Sequence, residues 1–135
     1  MSTFKIFDIA GSAMSAQSVR LNTVASNLAN ADAVGSDPAS IYKARMPVFR
    51  TQNDAATPDA SPVQVLGVVE SQAAAEKRYE PGHPLADKDG YVYAPNVNVV
   101  EEMVNMISAS RSYQGSVEVM NTAKELALRT LSLGK

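Results

Sequence analysis

The chain has 135 residues, which suits one domain of ordinary size, and 45% of them are hydrophobic, enough for a folded core. Its net charge is −2, from 14 acidic and 12 basic side chains, and no segment forms the basic stripe that phosphate binding needs, which argues against a nucleic-acid partner. The absence of cysteine excludes disulfides, thiolate metal ligands and thiol nucleophiles.

A long helix is the first predicted element, from Ser2 to Ala31, and it begins at residues that favour helix starts. Its apolar side chains recur at alternating spacings of three and four, which marks the contact stripe of paired helices. The stripe has one polar exception, Gln17, and otherwise consists of Phe7, Ala10, Met14, Leu21, Val24, Leu28 and Ala31. We therefore predict that this helix packs along its length against another helix.

The other faces of this helix are polar but almost uncharged. Only Lys5, Asp8 and Arg20 carry charge before residue 32. A helix face in contact with water normally carries many charges, and a helix on a membrane surface needs a basic polar face. Neither pattern is present, so the composition predicts a helix that other chains cover on several sides.

The N-terminal sequence also bears on how the chain is sorted in the cell. Lys5, Asp8 and Gly11 interrupt the apolar residues between Phe4 and Ala16, so the continuous apolar core of a cleavable signal peptide is missing. No run of about 18 apolar residues occurs elsewhere, and we predict no membrane-spanning helix. We expect that any export from the cytoplasm proceeds without signal cleavage.

The segment 32–96 is rich in glycine and proline, and this density of helix-breaking residues excludes long helices. Two apolar runs predict strands, one at 41–50 with an interruption at Pro47 and one at 63–70. The small polar residues 51–61 between them predict a flexible loop. We therefore predict a small β-rich or extended insertion.

A turn and a further short strand are predicted near the end of the insertion. Residues 88–90 have the composition of a tight turn, and 91–93 have that of a strand. Residues 87–90 also bear a slight resemblance to a calcium-binding loop. That loop needs acidic residues further on, where Val92 and Ala94 stand, so a turn is the better interpretation.

A second long helix is predicted from Val97 to Leu133. Either Asn96 or Asn98 could cap its first turn, because a short polar side chain there accepts hydrogen bonds from the free backbone N–H groups. Gly134 follows the last periodic residue and is a typical stop signal for a helix.

An apolar stripe runs along this second helix at the same alternating spacing. Ser110 and Lys124 interrupt it, and its apolar members are Val99, Met103, Met106, Tyr113, Val117, Met120, Ala127 and Leu131. Further apolar residues are predicted to widen it at both ends: Val100, Val104, Ile107, Leu126 and Leu128.

Two apolar stripes on either side of a glycine- and proline-rich insertion determine the predicted fold class. The chain must reverse between them, so the simplest way to bury both is an antiparallel coiled coil of the N- and C-terminal helices. We predict a mainly α protein with a small β-rich insertion. Residues 1–31 together with 97–135 would form a discontinuous helical assembly domain, and 32–96 would form the insertion.

No group of residues in the sequence predicts catalysis, a metal site or a cofactor. His83 is the only histidine, and it lies in a turn-rich stretch without a partner for a catalytic triad. Glu101 and Glu102 are adjacent, so they suit the positive first turn of a helix better than an acid/base pair. We therefore predict a protein that is not an enzyme and has no small-molecule substrate.

Short motifs at both ends of the chain resemble the flagellar axial proteins, the family of rod, hook and hook-associated subunits. The N-terminal motif lies at 25–31 and contains Ser26, Asn27, Leu28, Ala29 and Asn30. The matching C-terminal segments are 102–104, 109–114 and 130–134, which include Arg111, Tyr113 and Gln114. Two such motifs at opposite ends of one short chain are strongly specific.

The rest of the chain narrows the resemblance to the basal-body rod proteins, and among them to the C-type proximal-rod members. The matching segments are 6–14, 79–87, 90–92 and 95–97, the last of which contains Pro95 and Asn96. One departure is that Gly115 and Ser116 stand where the family usually has Ala-Asn. A glycine inside a helix costs about 1 kcal/mol relative to alanine.

The resemblance implies a structural subunit of the flagellar proximal rod. Such a subunit would leave the cytoplasm through the flagellar type III export apparatus without signal cleavage. It would assemble helically in the periplasm, above the membrane-ring complex, with copies of itself and other rod subunits. There it would transmit motor torque and line the export channel, and the two apolar stripes would be its assembly interface.

A soluble coiled-coil adaptor or export chaperone in the cytoplasm is the main alternative. Its helices would need charged residues beside the apolar stripe to specify a partner, and the N-terminal helix lacks them. A small hydrolase is opposed by the missing nucleophile–base arrangement. A different rod or hook subunit would be distinguished by its position in the axle.

Overall fold

The structure is a computed structural model that describes residues 3–53 and 60–134, with Thr3 described by its backbone alone. It contains two long helices and four short strands: α1 (Thr3–Ala29), β1 (Arg45–Thr51), β2 (Val63–Glu70), β3 (Glu76–Tyr79), β4 (Tyr91–Ala94) and α2 (Val99–Leu133). The predicted mainly α architecture with a small β insertion is confirmed. Residues 54–59, in the middle of the loop predicted at 51–61, lie outside the described residues.

The end of α1 is set by local hydrogen bonds. The helix ends at Ala29, two residues before the predicted end at Ala31. Asn30 donates from Nδ2 to the carbonyl oxygen of Ser26 at 2.8 Å, and the backbone N–H of Ala31 donates to the carbonyl of Leu28 at 3.2 Å. The Ala31 bond spans three residues and satisfies the carbonyl of Leu28, and the Asn30 side chain adds a second donor to a carbonyl that already accepts from the Asn30 N–H, so the helix can stop here.

The start of α2 is capped by Asn98, one of the two predicted candidates. Its side-chain oxygen accepts hydrogen bonds from the backbone N–H groups of Val100 at 3.1 Å and Glu101 at 3.2 Å. The helix ends at Leu133 as predicted. Gly134 follows it with a φ of −89°, so this end does not use the left-handed conformation that makes glycine common at helix ends.

The two helices lie side by side and run in opposite directions. Arg20 donates from Nη2 to Oδ1 of Asn105 at 3.0 Å, and Asn27 donates from Nδ2 to Oε2 of Glu102 at 3.1 Å. The residue number of the partner on α2 decreases as the residue number on α1 increases, which is the pattern of antiparallel neighbours. The predicted reversal of the chain through the insertion therefore brings the two ends of the sequence together.

The stripe of α2 that faces α1, called here the inner stripe, differs from the predicted one. It consists of Met106, Ala109, Tyr113, Val117, Met120 and Ala123, which are buried or half-buried. Near the ends of α2, Glu102 is more buried than Met103, and Ala123 is buried instead of Lys124. An α-helix drifts by about 20° per seven residues against a strict seven-residue repeat, so the seam rotates off the predicted positions. Leu131 is 70% exposed because α2, with 35 residues, is longer than α1, with 27.

The strands β1 and β2 form an antiparallel ribbon. Arg45 lies opposite Glu70 at one end of the ribbon, and Thr51 lies opposite Val63 at the other. The register shifts by one residue between Val48 and Phe49, because Leu66 is an extra residue in β2. The bounds of β2 match the prediction, whereas β1 begins four residues later than the predicted strand at 41–50. The ladder continues past β1 with a bond from Gln52 N–H to the carbonyl of Pro62 at 2.8 Å.

Proline is tolerated inside β1 because of the edge at which it lies. Arg45 directs both its N–H and its carbonyl away from β2, towards Asn27. Pro47 is two residues further on and lies at the same edge, so its missing N–H costs no bond between the strands. At the far end of the ribbon, the N–H of Val63 donates to Oγ of Ser12 at 3.0 Å, which fixes the ribbon against α1.

A second antiparallel ribbon, β3 with β4, lies between the first ribbon and α2 in the sequence. The strand β3 was not predicted, because its sequence Glu-Lys-Arg-Tyr is mostly charged. Side chains hold it: the rings of Tyr79 and Tyr91 meet edge to face at 5.2 Å, and Lys77 Nζ lies 4.0 Å from the centre of the Tyr91 ring. On its other side, β4 pairs through Tyr93 with Gly35.

The buried apolar residues of the described chain are small. They are Ala10, Ala16, Val24, Ala31, Val92, Ala94, Ala109 and Ala123. Nearly all of the large apolar side chains of α2 remain partly or largely exposed. Because hydrophobic stabilisation scales with the apolar area removed from water, alanine contributes little of it. The single chain therefore has a weak core for its length.

Candidate assembly surface

Asn27, from the N-terminal family motif, is 1% exposed and has a complete set of hydrogen bonds. Its Oδ1 accepts from the hydroxyl of Tyr42 at 2.8 Å and from the N–H of Arg45 at 2.9 Å. Its Nδ2 donates to the carbonyl of Arg45 at 2.9 Å and to Glu102 at 3.1 Å. A primary amide has two donors and two acceptor positions, and all four are used.

Asn96, from the motif that precedes α2, holds the same part of the chain. Its Oδ1 accepts from the N–H of Ala44 at 2.8 Å, and its Nδ2 donates to the carbonyl of Ala73 at 2.9 Å. Asn27 and Asn96 come from distant parts of the sequence, and they therefore hydrogen-bond to the consecutive residues Arg45 and Ala44 where β1 begins. We call the set of Asn27, Tyr42, Arg45, Asn96 and Glu102 the junction.

The other N-terminal motif residues surround the junction. The hydroxyl of Ser26 lies 3.1 Å from that of Tyr42, and Asn30 bonds only within its own helix end. Leu28 is half-buried and Ala29 is exposed.

The C-terminal motif residues are divided between two places. Pro95 is fully buried beside the junction residue Asn96. Arg111 and Gln114 are exposed in the middle of α2, and Tyr113 is half-buried on the inner stripe. The family motifs therefore form no single site.

The junction partners Tyr42, Arg45 and Glu102 were not identified from the sequence. Their contacts with Asn27 span 15 to 75 positions, which no local pattern can reveal. One signal was present: Asn27 lies three residues after Val24 and four before Ala31, so it borders the apolar stripe. A buried amide needs polar partners, so its position alone indicates a hydrogen-bonded contact.

The predicted interface residues of α1 lie at intermediate depth. Phe7, Met14, Leu21 and Leu28 are half-buried, and Val24 is 4% exposed. The half-buried side chains pack in the single chain and still leave part of their apolar surface exposed.

The predicted interface residues of α2 divide into two groups. Four lie half-buried on the inner stripe: Met106, Tyr113, Val117 and Met120. Three others are 37%, 53% and 70% exposed, namely Val99, Met103 and Leu131. The assembly role of both groups remains a prediction.

A second apolar stripe, called here the outer stripe, runs along the first turns of α2. It consists of Val100, Met103, Val104 and Ile107, which are 71%, 53%, 61% and 57% exposed. At about 100° per residue, these side chains point roughly 150° away from the inner stripe. The sequence-based interpretation that Val100, Val104 and Ile107 widen the stripe facing α1 is therefore wrong. Leu126 and Leu128, at 58% and 57% exposure, do not widen a buried seam either.

An apolar groove follows the line between the two helices. It has two connected parts of about 590 Å³ and 360 Å³, which share Ile6, Gly115 and Val119 in their walls. Glu118 is the one charged residue among the walls that the structure describes. A Cβ added at Gly115 would meet nothing within 4 Å, so the glycine leaves the middle of the groove open.

The insertion residues considered for catalysis or calcium binding have structural roles. Nδ1 of His83 accepts from the N–H of Leu85 at 3.1 Å. Oδ1 of Asp87 accepts from the N–H groups of Asp89 at 3.0 Å and Tyr91 at 2.8 Å, so the predicted turn is confirmed. In residues 3–53 and 60–134, no three His, Asp or Glu side chains are grouped so that they could hold a metal ion.

The turn should make the β3–β4 ribbon sensitive to acid. The hydrogen bond from the Tyr91 N–H lowers the pKa of Asp87 below its ordinary 3.8, because the ionised form is the better acceptor. A lowered pKa means that the carboxylate stabilises the ribbon at neutral pH and that this stabilisation is lost as the pH falls below 3.8 through the lowered value. We expect the NMR signals of Tyr91 to move towards random-coil positions over that range. Asp87→Asn, which keeps the oxygen acceptor without the charge, should remove this pH dependence, and an unchanged titration would contradict the assignment.

Comparison with known sequences identifies the family. The family described as flagella basal body rod protein matches residues 7–35, and the family described as flagellar basal body rod FlgEFG protein C-terminal matches 88–133. The chain is 57% identical over 136 residues to the flagellar basal-body rod protein FlgC of Salmonella typhimurium, with 100% of both chains covered. The FlgC proteins of Escherichia coli O157:H7 and Yersinia enterocolitica are 56% and 53% identical over 137 residues, again with 100% of both chains covered.

These matches agree with the structure. The two family matches fall on the two helices and their flanking motifs, which the fold brings together at the junction. Neither α1 nor α2 has an apolar run of the kind that a membrane crossing requires. From the two family matches and the full-length relatives, the chain belongs to the flagellar basal-body rod protein family.

Proposed function

We propose that this chain is a subunit of the proximal rod that assembles helically with copies of itself and with related rod subunits. The observation that carries the proposal is the distribution of apolar side chains on α2. The residues of its inner stripe are buried or half-buried, whereas Val100, Val104 and Ile107 are more than half exposed. Exposed apolar surface of this extent on a long helix favours burial against neighbouring subunits.

The family is one of structural rod proteins of the flagellar basal body, so the chain is not an enzyme. In the proposed rod, residues 1–31 and 97–135 would form the assembly domain and pack as an antiparallel coiled coil. The helices would line the export channel and transmit motor torque. We propose that the subunit reaches the periplasm through the flagellar export apparatus without signal cleavage and assembles above the membrane-ring complex.

Open-ended assembly needs two different surfaces that fit each other. A contact between identical patches closes a dimer, whereas a contact between unlike patches can continue indefinitely. The outer stripe is a row of projecting side chains, and the groove at Gly115 is a mainly apolar depression on another face of the helix pair. Both are mainly apolar, which supports contacts between unlike patches of neighbouring subunits.

Filling the groove provides a direct test, through Gly115→Met. A side chain at this position has space in the single chain and removes the cost of glycine in a helix, about 1 kcal/mol. We expect the melting temperature of the isolated chain to stay the same or rise, while rod formation is lost. Gly115→Ala serves as the matched control, because it gives the helix the same benefit and fills little of the groove. Normal rods built from Gly115→Met would exclude the groove as an assembly surface.

The proposed location is tested by electron microscopy of hook–basal bodies purified from cells that carry a tagged copy. We expect label in the rod and an absence of rods in a deletion strain. A tag that stays in the cytoplasm, with intact flagella in the deletion strain, would instead support a soluble adaptor or export chaperone.

A further inference from the structure

We propose that Asn27 is a positioning residue that makes docking of the β1–β2 ribbon depend on the pairing of the two terminal helices. This goes beyond the proposed rod function, because it concerns how the insertion is oriented within one subunit. The argument rests on four hydrogen bonds that one buried side chain makes to two separate parts of the chain, the approach to β1 and the first turn of α2.

On the side of the ribbon, the side-chain amide of Asn27 pairs with the backbone N–H and carbonyl of Arg45, as the backbone of a neighbouring strand would. Arg45 pairs with Glu70 on one side, and on the other side its N–H and its carbonyl both bond to the Asn27 side chain at 2.9 Å. A two-stranded ribbon has unpaired edges and is marginally stable by itself. The amide satisfies the edge of β1 at the Arg45 end, and the bond from Val63 to Ser12 holds the opposite end, so Asn27 fixes the end of the ribbon that lies beside the start of α2.

Towards the helices, the same amide is oriented by α2. The second Nδ2 proton of Asn27 goes to Glu102, which lies in the first turn of α2 beyond the Asn98 cap. Glu102 reaches this position only when α2 has formed and lies against α1. When α2 is displaced, the amide loses this acceptor and also the helix that covers it, so water can compete for its hydrogen bonds to Arg45. The hydrogen bonds from the Asn27 side chain to Arg45 are therefore strongest when the two helices are paired.

The chemistry requires an asparagine. Aspartate has the same shape but no donor, so it would lose the bonds from Nδ2 to Arg45 and Glu102 and would place two carboxylates together. The nearby Asn30 offers a matched control, because its one side-chain bond goes to the carbonyl of Ser26 in its own helix end.

Hydrogen exchange on the full-length chain tests the proposal, with Asn27→Asp compared with Asn30→Asp. We expect exchange of the β1 and β2 amides to become about tenfold faster or more in Asn27→Asp, with amides around Ala109 unchanged, and no effect in Asn30→Asp. A general loss of stability would instead accelerate exchange in all elements together. Either that result or unchanged exchange in the ribbon would overturn the proposal.

The role of α2 is tested separately at Glu102. Glu102→Gln keeps an oxygen acceptor for Asn27, whereas Glu102→Ala removes it, so only the alanine variant should accelerate exchange in the ribbon, by about fivefold. Adding Glu102→Ala to Asn27→Ala should have no further effect, because the shared bond is already lost. Additive effects would show that Glu102 acts independently and would refute the coupling. These measurements need no rod, so their failure would leave the proposed assembly function unaffected.

Discussion

Ile107→Asp is expected to abolish rod assembly while leaving the single chain folded. Ile107 is 57% exposed on the outer stripe, so water solvates the new carboxylate in the isolated subunit. In an assembled rod the carboxylate would be buried against apolar side chains of a neighbour without a compensating partner, which is strongly unfavourable. The measurement is electron microscopy of basal bodies from a deletion strain that expresses the variant, with circular dichroism of the purified chain.

The control for this prediction is Gln72→Glu. Gln72 is also exposed, and it lies in the connection between β2 and β3, outside both helices. It adds the same charge outside the outer stripe, and we expect rods to form. Normal rods with Ile107→Asp, or equal loss of rods with both variants, would contradict the assignment of the outer stripe as a specific contact.

Ala109→Leu is expected to have the largest effect on the stability of the single chain. Ala109 is 0% exposed on the inner stripe, and a larger side chain there must push α1 and α2 apart. Overpacking of this kind costs about 1–3 kcal/mol, which for a domain of this size lowers the melting temperature by roughly 5–15 °C. Thermal denaturation followed by far-ultraviolet circular dichroism measures the change.

The same substitution at Ala25 is the control for this effect. Ala25 is exposed on α1, so Ala25→Leu adds the same atoms to a helix without disturbing the helix pair. We expect its melting temperature to stay within about 2 °C of the unmodified chain. If Ala109→Leu behaved like Ala25→Leu, the inner stripe would not be the contact between the helices.

The sequence predicts the elements of this fold better than it predicts their faces. Both helices, the bounds of β2 and the cap at Asn98 follow from periodicity and from local capping chemistry. The strand β3 does not, because its stability comes from the contacts of Tyr79 and Lys77 with Tyr91 rather than from its own residues. Local propensity cannot register an interaction with a partner strand across an intervening loop.

The candidate surfaces show the same limit more strongly. A spacing of three and four identifies an apolar stripe, but the first turns of α2 carry two such stripes. Val99, Val100, Met103 and Val104 all satisfy an apolar pattern, yet all four are exposed, and the side of this turn that faces α1 carries Glu102. Asn27 was identified through a family motif, whereas its contacts with Arg45 and Glu102 depend on the tertiary fold.

The alanine-rich core has a thermodynamic consequence for a subunit of this kind. The heat-capacity change of unfolding and the sensitivity to denaturant both scale with the surface newly exposed on unfolding. Because the large apolar side chains of this chain are only partly buried, unfolding exposes less new apolar surface than in a chain with a fully buried core, and we expect a shallower stability curve. In the proposed rod, the apolar surface left exposed on the single chain would be buried between subunits and would add to this heat-capacity change. We therefore expect the stability of the rod to depend more strongly on temperature than that of the free subunit.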